Sequence, residues 1–130
     1  MKVLDSDLII DFLNKVPAAV SKIDELIKEE EELATTVFNE QEVLYGALKV
    51  KRKDVIQLTR QYFDSINVLS YDRTCISNVL EIELDLEKKG LSIGTIDELI
   101  GGICLAHSAI IVTRNVEHFS RIRNLKVESW

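Results

Sequence analysis

The apolar residues of the chain form short continuous runs that alternate with stretches of helical spacing. Continuous runs predict strands at residues 2–4, 33–38, 67–70, 109–112 and 125–127. Between the runs, apolar residues recur every three or four positions, which is the spacing of a helix that buries one face. Strands alternating with helices favour a parallel sheet covered on both faces. We therefore predict an α/β fold, a three-layer α/β/α sandwich with a mostly parallel central sheet, formed by residues 1–130 as a single domain.

Polar and conformationally special residues mark where the predicted helices begin and end. Pro17 suits the first turn of one helix, because the N–H that proline lacks needs no partner there. Asn39 is expected to cap the helix that carries Glu42. Asp72 is expected to cap a long helix that Gly90 ends.

Two of these helices have apolar stripes that we expect to face the core. In the helix after Asp72, the inward residues are predicted to be Ile76, Val79, Leu80 and Leu84. In the helix that Thr95 opens, the stripe consists of Ile96, Leu99, Ile100, Ile103 and Cys104. Both helices are therefore expected to bury these residues.

The chain is acidic, with a formal net charge of −6 over 130 residues. A protein that holds nucleic acid only by neutralising phosphates is expected to be basic. Any nucleic-acid activity of this chain must therefore rely on metal ions that offset its acidic groups, or on local basic patches. One candidate patch is formed by Lys49, Lys51, Arg52 and Lys53, for which a solvated helix end is the simpler explanation.

The sequence shows no targeting signal and no paired cysteine motif. No apolar run is long enough for a membrane span, and Asp5 and Asp7 interrupt the first apolar stretch, so a signal peptide is not predicted. Cys104 and His107 have a C-x-x-H spacing, but no second ligand pair for zinc is present, so we expect Cys104 to be buried. Cys75 has no nearby cysteine. We expect a reduced, cytoplasmic protein.

Polar residues follow several predicted strands, at the edge where parallel sheets bind ligands. Asp5 ends the first strand, and Asp97 lies in the first turn of the helix that leads to the strand at 109–112. The side chains that we expect on this one rim are Asp5, Asn39, Glu40, Glu42, Asp97, Thr113, Arg114 and Asn115.

Such a rim suits a divalent cation. Carboxylate and amide oxygens are hard ligands of the kind that Mg²⁺ or Mn²⁺ prefers. Clustered carboxylates repel one another unless a cation lies between them. Such ions can lower the pKa of water, align it with a phosphodiester and stabilise the leaving oxygen. Asp5 or Asp97 alone is explained as a helix cap, whereas their joint placement at strand ends favours a metal site.

Four segments resemble the motifs of PIN-domain proteins, in the family's order and along essentially the whole chain. The first is Val3-Leu4-Asp5-Ser6-Asp7, a short strand that ends on an Asp followed by Ser. The second is Glu42-Val43-Leu44-Tyr45-Gly46-Ala47. The third is Gly94-Thr95-Ile96-Asp97-Glu98, and the fourth is Val112-Thr113-Arg114-Asn115. The similarity is closest to the VapC-type toxins, which are single-domain PIN ribonucleases.

This resemblance implies an endoribonuclease that depends on Mg²⁺ or Mn²⁺, forms a homodimer and is inhibited by a cognate antitoxin protein. The metal ligands that it implies are Asp5, Glu42, Asp97 and Asn115. It also makes Thr113 and Ser6 polar groups that orient water or a ligand. Arg114, on the predicted rim, is expected to contact RNA phosphates.

Asn115 departs from the family pattern, because many relatives have Asp at this position. The change removes one negative charge, so a second metal ion should bind more weakly. His118 follows at a position that is often Asp; it could assist phosphate binding, although a helix cap or surface position is the simpler explanation. Tyr45 and Trp130 could stack bases, although packing in the core or an interface is simpler.

Two other functions stay open on the sequence alone. A degenerate PIN fold could act as a non-catalytic module that binds RNA or protein, and Asn115 keeps this alternative open. A haloacid-dehalogenase-type phosphatase could use Asp5 as nucleophile and Asp7 as acid, as its D-x-D opening requires. That mechanism lacks its later acidic pair here and leaves Glu42 and Asp97 unexplained.

Overall fold

A five-stranded sheet lies at the centre of the molecule, with the strand order β3-β2-β1-β4-β5. The computed structural model describes residues 1–130. The strands are β1 (Lys2–Leu4), β2 (Leu33–Thr36), β3 (Asn67–Leu69), β4 (Ile110–Val112) and β5 (Lys126–Glu128). All neighbouring strands run parallel, which confirms the predicted parallel sheet.

Helices cover both faces of the sheet. They are α1 (Ser6–Leu13), α2 (Pro17–Lys28), α3 (Val37–Val50), α4 (Lys53–Ser65), α5 (Arg73–Lys89), α6 (Thr95–Ala106) and α7 (Val116–Phe119). Side chains of α1 to α4 pack around Leu4 on one face, and side chains of α5 to α7 pack around Val3 on the other. The three-layer α/β/α sandwich is thereby confirmed. None of the helices combines the length and apolarity that crossing a membrane requires.

The central strand β1 lies between β2 and β4, where the direction of travel across the sheet reverses. From β1 the chain moves outward to β2 and β3, and it then returns to β4 on the other side of β1. The backbone N–H of Asp5 donates to the carbonyl of Val112 at 3.0 Å, so the carboxyl ends of β1 and β4 are adjacent. Open parallel sheets bind their ligands in the crevice at such a reversal.

The start of α3 differs from the sequence prediction. Asn39 was expected to cap this helix, but the helix begins at Val37 and Thr36 is the cap. The Thr36 hydroxyl accepts a hydrogen bond from the backbone N–H of Asn39 at 3.3 Å. Thr36 and Asn39 are both good capping residues, and the pairing of β2 as far as Thr36 decides between them. Asn39 therefore lies inside the first turn, with its side chain buried.

The core-facing side of α5 also differs from the prediction. Its buried residues are Cys75, Val79, Ile82 and Leu86. Of the residues predicted to face inward, only Val79 is buried, whereas Ile76, Leu80 and Leu84 are 42%, 50% and 66% exposed. Ile96 of α6, which was also predicted inward, is 49% exposed. The prediction was wrong because α5 has apolar residues on two faces, and spacing alone does not say which one meets the core.

Two glycines in α6 determine which face of α5 packs against the core. A Cβ atom added to Gly102 would collide with the side chain of Val79, and one added to Gly101 would collide with the side chain of Ile122. The absence of side chains at these two positions allows α5 and the segment after α7 to approach the α6 backbone closely. Ile100 and Ile103 of α6 are buried, as predicted.

Candidate active site

Asp5 occupies the crevice at the carboxyl end of β1, with only 9% of its surface exposed. Its carboxylate caps α1 by accepting the backbone N–H of Ser6 at 2.8 Å. The same oxygen accepts a hydrogen bond from Nδ2 of Asn39 at 2.9 Å, and the other oxygen accepts one from the Thr113 hydroxyl at 2.6 Å. Groups from α1, α3 and the end of β4 therefore fix the orientation of this carboxylate.

Asn39 was predicted on the rim and as a helix cap, but its direct contact with Asp5 was not predicted. Its Nδ2 donates to the hydroxyl oxygen of Ser6 at 2.9 Å as well as to Asp5, and its Oδ1 accepts a hydrogen bond from the Thr36 hydroxyl at 2.7 Å. The side chain has no exposed surface. The available signal was its spacing from Glu42, since residues three apart in a helix lie on one face.

The turn after β4 is organised by Asp7 of α1. Asp7 accepts the backbone N–H of Arg114 at 3.0 Å, and the Thr113 hydroxyl lies 3.3 Å from the same carboxylate oxygen. The Thr113 hydroxyl in turn accepts the backbone N–H of Asn115 at 2.9 Å. Thr113 is completely buried. These bonds place Thr113 beside Asp5, as the rim prediction required.

Asp97 lies in the first turn of α6 and meets the segment around α7. Asn115 donates from Nδ2 to Oδ2 of Asp97 at 3.3 Å, and Nδ1 of His118 lies 3.3 Å from the same oxygen. Asn115 was predicted on the rim. His118 was given a surface role, yet it contacts a predicted ligand.

Glu42 takes part in none of these hydrogen bonds. It is exposed on α3 and makes no hydrogen bond or ion pair of its own. Together with Asp97 it lines an open cleft of about 420 Å³, whose other walls are formed by Phe38, Gln41, Tyr45 and Ile96. The structure therefore brings Glu42 to the same rim as Asp97 but not into direct contact with it.

Burial and neighbouring charge raise the pKa values of the two central carboxyl groups. Burial raises the pKa of Asp5 to about 6; the hydrogen bond from Thr113 acts in the opposite direction, and the charges of Asp7 and Asp97 add to the increase. Burial also raises the pKa of Asp97, opposed by His118 and reinforced by the charge of Glu42. For Asp5, the shift reflects a buried carboxylate without a positive partner, which a bound cation would supply.

The donor set fits a hydrated Mg²⁺ or Mn²⁺ better than a fully protein-bound ion. No group of three or more Asp, Glu, His or Cys side chains is close enough to surround one ion. Mg²⁺ keeps several water molecules and binds through one or two carboxylates. Asp5 and Asp97 would provide those carboxylates, and Glu42 and Asn115 lie on the same rim beside Asp97. Asp5, Glu42 and Asp97 are not gathered around one point in this structure, so their role as metal ligands stays a prediction.

The C-x-x-H spacing does not form a zinc site. Cys104 has no exposed surface, as predicted, while His107 is exposed at the end of α6. Burial raises the pKa of the Cys104 thiol to about 12, which disfavours the thiolate that binds zinc. Cys75 is also buried, and neither cysteine forms a disulfide.

Comparisons with known proteins show the family to which the chain belongs. Residues 2–125 match the model of the PIN domain family. The ribonuclease VapC2 of Rickettsia felis is 32% identical over 128 residues, which cover 98% of this chain and 96% of that protein. The tRNA(fMet)-specific endonuclease VapC of Shigella flexneri is 27% identical over 128 residues, with the same coverage of 98% and 96%.

A solved structure agrees with these relatives. The crystal structure of VapBC2 from Rickettsia felis, bound to a DNA fragment from their promoter, contains a chain that matches with a TM-score of 0.87 and 30% identity. The match covers 99% of this chain and 98% of that chain. The chain therefore belongs to the PIN domain family and, within it, to the group that contains the VapC ribonucleases.

Proposed function

We propose that this chain is an endoribonuclease that cleaves RNA phosphodiesters with Mg²⁺ or Mn²⁺, and that it is the toxin of a toxin–antitoxin pair. The observation that carries the proposal is the buried carboxylate of Asp5, which Asn39 and Thr113 orient in the crevice where the sheet reverses. Asp97 lies on the same rim. The kinship with the VapC ribonucleases supports the same activity.

Asp5 and Asp97 are the residues that we propose as the principal ligands of the metal, with Glu42 and Asn115 as further ligands. When bound, the ion supplies positive charge that polarises the phosphodiester and makes water more acidic. The raised pKa values of Asp5 and Asp97 fit this role, because a cation between them relieves the cost of their burial and mutual repulsion.

The polar neighbours of these carboxylates keep the site in one arrangement before substrate arrives. Asn39 and Thr113 fix both oxygens of Asp5. Groups that are oriented in advance need no rearrangement during the reaction, and this lowers the barrier. The Ser6 hydroxyl accepts a bond from Asn39, so its own proton is available to a ligand or to water in the crevice.

The substrate class that we propose to test first is transfer RNA. The Shigella flexneri relative is named as a tRNA(fMet)-specific endonuclease, and its similarity extends over nearly the whole chain. The acidic rim also favours a substrate held through a metal ion over one held by protein charge alone.

Cleavage of tRNA with Mg²⁺ or Mn²⁺ tests the proposed function directly. We expect Asp5→Asn to reduce the cleavage rate by roughly a hundredfold or more, because it removes a charged ligand. Asp64→Asn is the matched control, since Asp64 is exposed on α4 and makes no hydrogen bond or ion pair. Activity that survives chelation of divalent cations, or that is equal in the two variants, would contradict the proposal.

A module that binds RNA or protein without cleaving it is the second candidate. Two observations favour it: Asn115 is neutral, and the acidic side chains do not close around one ion. The same assay separates the two candidates, because a binding module retains RNA affinity while no RNA is cleaved under any metal condition.

The phosphatase alternative has less support from the structure. Its mechanism needs the second Asp of the D-x-D motif as a free acid. One oxygen of Asp7 accepts the N–H of Arg114 at 3.0 Å and the other accepts Nε1 of Trp130 at 2.9 Å, so both are already engaged.

The partners that we propose are a cognate antitoxin protein and a second copy of this chain. The Rickettsia felis structure, whose match extends over nearly the whole chain, is a VapBC2 complex. For the homodimer, the exposed apolar residues Ile76, Leu80 and Leu84 of α5 provide a candidate surface, and light scattering measures the assembly directly. We place the protein in the cytoplasm, because RNA is the proposed substrate and both cysteines are free.

A further inference from the structure

Trp130, which follows β5, lies against the rim of the candidate active site. Its Nε1 donates to Oδ1 of Asp7 at 2.9 Å, and Asp7 is the residue that organises the turn after β4. The guanidinium carbon of Arg114 lies 3.7 Å from the centre of the indole ring. The hydrogen bond to Asp7 thus fixes an aromatic ring directly beneath Arg114.

Arg114 is held in place although half of its side chain is exposed. One face of its guanidinium rests on Trp130, and Nη1 donates to Asp11 at 3.0 Å. Its backbone N–H is bound by Asp7. The side chain is nevertheless 49% exposed. Long side chains on a surface normally sample many rotamers, so this amount of restraint prepares a flat surface in one orientation.

The position of this surface links it to the reaction. Arg114 directly follows Thr113, whose hydroxyl donates to Asp5 at 2.6 Å. The backbone of Arg114 therefore lies beside the residue that contacts Asp5.

The surroundings of Arg114 suit a base better than a phosphate. Asp11 already pairs with its guanidinium, Asp7 lies beneath the same turn, and both carboxylates repel a phosphate. A guanidinium plane can stack on a nucleobase whether or not its edge is paired. The structure thus favours a role for Arg114 that differs from the phosphate contact expected from its place on the rim.

We propose that Arg114, supported by Trp130, forms a stacking platform for one unpaired nucleobase of the RNA, next to the phosphodiester at Asp5. The inference rests on the proposed function and specifies how its substrate is held. Arg114 touches the base. Trp130 is a positioning residue, because it acts by keeping the guanidinium flat and in place.

The fluorescence of Trp130 gives a readout that does not depend on cleavage, since Trp130 is the only tryptophan in the chain. We expect a short single-stranded oligoadenylate, added in the presence of a chelator, to change this fluorescence in a saturable manner. Labelled oligoadenylate measures the same binding by anisotropy in variants that lack the indole. Circular dichroism and thermal unfolding verify that each variant is folded.

Two substitutions of Arg114 distinguish a base from a phosphate. Arg114→Lys keeps the charge and loses the plane, so we expect it to weaken binding about fivefold or more. Arg114→Gln keeps a planar amide and loses the charge, so we expect a smaller loss. The opposite order, with Lys retaining affinity and Gln losing it, would show a phosphate contact and overturn the platform.

RNA from which single bases have been removed shows which nucleotide the platform binds. In RNA that carries one abasic nucleotide at successive positions around the cleavage site, we expect one position to raise KM about fivefold with kcat little changed. In Trp130→Ala the same abasic position should have no further effect, while Trp130→Phe, which keeps a ring, should behave more like the natural protein.

The outcomes of these experiments separate the platform from the proposed function. If RNA is cleaved but every abasic position is tolerated equally in the natural protein and in Trp130→Ala, the platform is wrong and the nuclease assignment stands. If no RNA is cleaved, the nuclease assignment is wrong, and the order of affinities of the two Arg114 variants still decides whether a base is stacked.

Discussion

A single buried amide, that of Asn39, joins three segments of the chain at the site. It donates to Asp5 and Ser6 and accepts from Thr36, all at distances of 2.7 to 2.9 Å. A buried polar group that loses its partner costs about 1–3 kcal/mol. Asn39 therefore stabilises the junction of β1, α1 and α3 while it orients the Asp5 carboxylate.

Replacement of Asn39 tests both roles. We expect Asn39→Ala to lower the free energy of unfolding by about 1–3 kcal/mol, because Asp5 and Thr36 lose a buried partner. The cleavage rate should fall by roughly ten- to a hundredfold, the usual effect of removing a group that orients a metal ligand. Urea denaturation and the tRNA assay measure the two effects.

Asn78→Ala is the matched control for Asn39→Ala, since Asn78 lies in α5 and makes no side-chain hydrogen bond. If Asn39→Ala loses stability and still cleaves RNA at the natural rate, its role is confined to the fold.

At this scale the sequence predicted the acidic positions better than the groups that orient them. Asp5 and Asp97 follow recognisable local patterns, and the structure brings both to one rim. Asn39 was predicted as a cap on the rim and His118 as a cap or surface residue, because each suits those places on local grounds. Their actual contacts depend on side-chain directions across two elements, and no local pattern contains that information.

At the scale of elements, the contact between α5 and α6 depends on the absence of side chains at Gly101 and Gly102. The backbone of α6 approaches Val79 of α5 so closely at Gly102 that no Cβ fits, while a different glycine, Gly46 of α3, faces open space. Gly102 and Gly46 therefore differ in their effect on packing, although both lie inside helices.

This difference leads to opposite effects of the same substitution. We expect Gly102→Ala to lower the free energy of unfolding by about 1–3 kcal/mol, because the new methyl group overlaps Val79. Gly46→Ala should raise it by about 0.5–1 kcal/mol, because alanine loses less backbone entropy in a helix. Thermal and urea unfolding measure both, and a stabilising Gly102→Ala would contradict the close packing of Gly102 against Val79.

Elements were predicted well where local chemistry marks their ends. Asp72 caps α5 and Gly90 ends it with a φ of +68°, as the sequence indicated. The buried face of α5 was wrong because its partner lies in another helix. The short helix α7 was not anticipated, since a single turn of four residues has too few positions for a helical pattern to show.

At the scale of the whole molecule, two acidic groups make stability depend on pH with opposite signs. The folded state raises the pKa of Asp5 to about 6, chiefly through burial. Burial alone would also raise the pKa of Glu128, but hydrogen bonds from Lys2 and Lys22, at 2.8 and 2.6 Å, lower it on balance. Glu128 thus ties β5 to β1 and α2.

We expect the metal-free protein to lose stability relative to Asp5→Asn as the pH rises from about 4 to about 7. Protonated Asp5 is favoured in the folded state, so its contribution is complete below the ordinary pKa of 3.8 and is lost as the pH passes 6. The loss amounts to at most about 3 kcal/mol. Mg²⁺ should restore part of it in the natural protein and not in Asp5→Asn.

Glu128→Gln provides the comparison of opposite sign. The lowered pKa of Glu128 means that its carboxylate stabilises the natural protein above about pH 4.5. This contribution is lost as the pH falls below that value, and Glu128→Gln lacks it at every pH. Urea denaturation across this pH range measures both differences. A stability difference between the natural protein and Asp5→Asn that does not change with pH would show that burial leaves Asp5 unperturbed.

The overall architecture was predictable because alternating strands and helices leave few arrangements for a chain of this length. The placement of the rim at the carboxyl edge followed from the same rule. How closely the carboxylates approach could not be predicted, since Asp5, Glu42 and Asp97 come from separate elements whose relative positions are set by packing on both faces of the sheet.

The hydrogen bond between Thr113 and Asp5 connects residues that are 108 positions apart. A chain still emerging from the ribosome has no β4 to pair with β1, and it has no hydroxyl to orient the first carboxylate of the site. Local contacts form early in folding, whereas such distant ones must wait for the full strand order. Under the proposed function, each nascent chain is therefore inactive throughout most of its own translation, and its site is completed only when nearly the whole chain has been made.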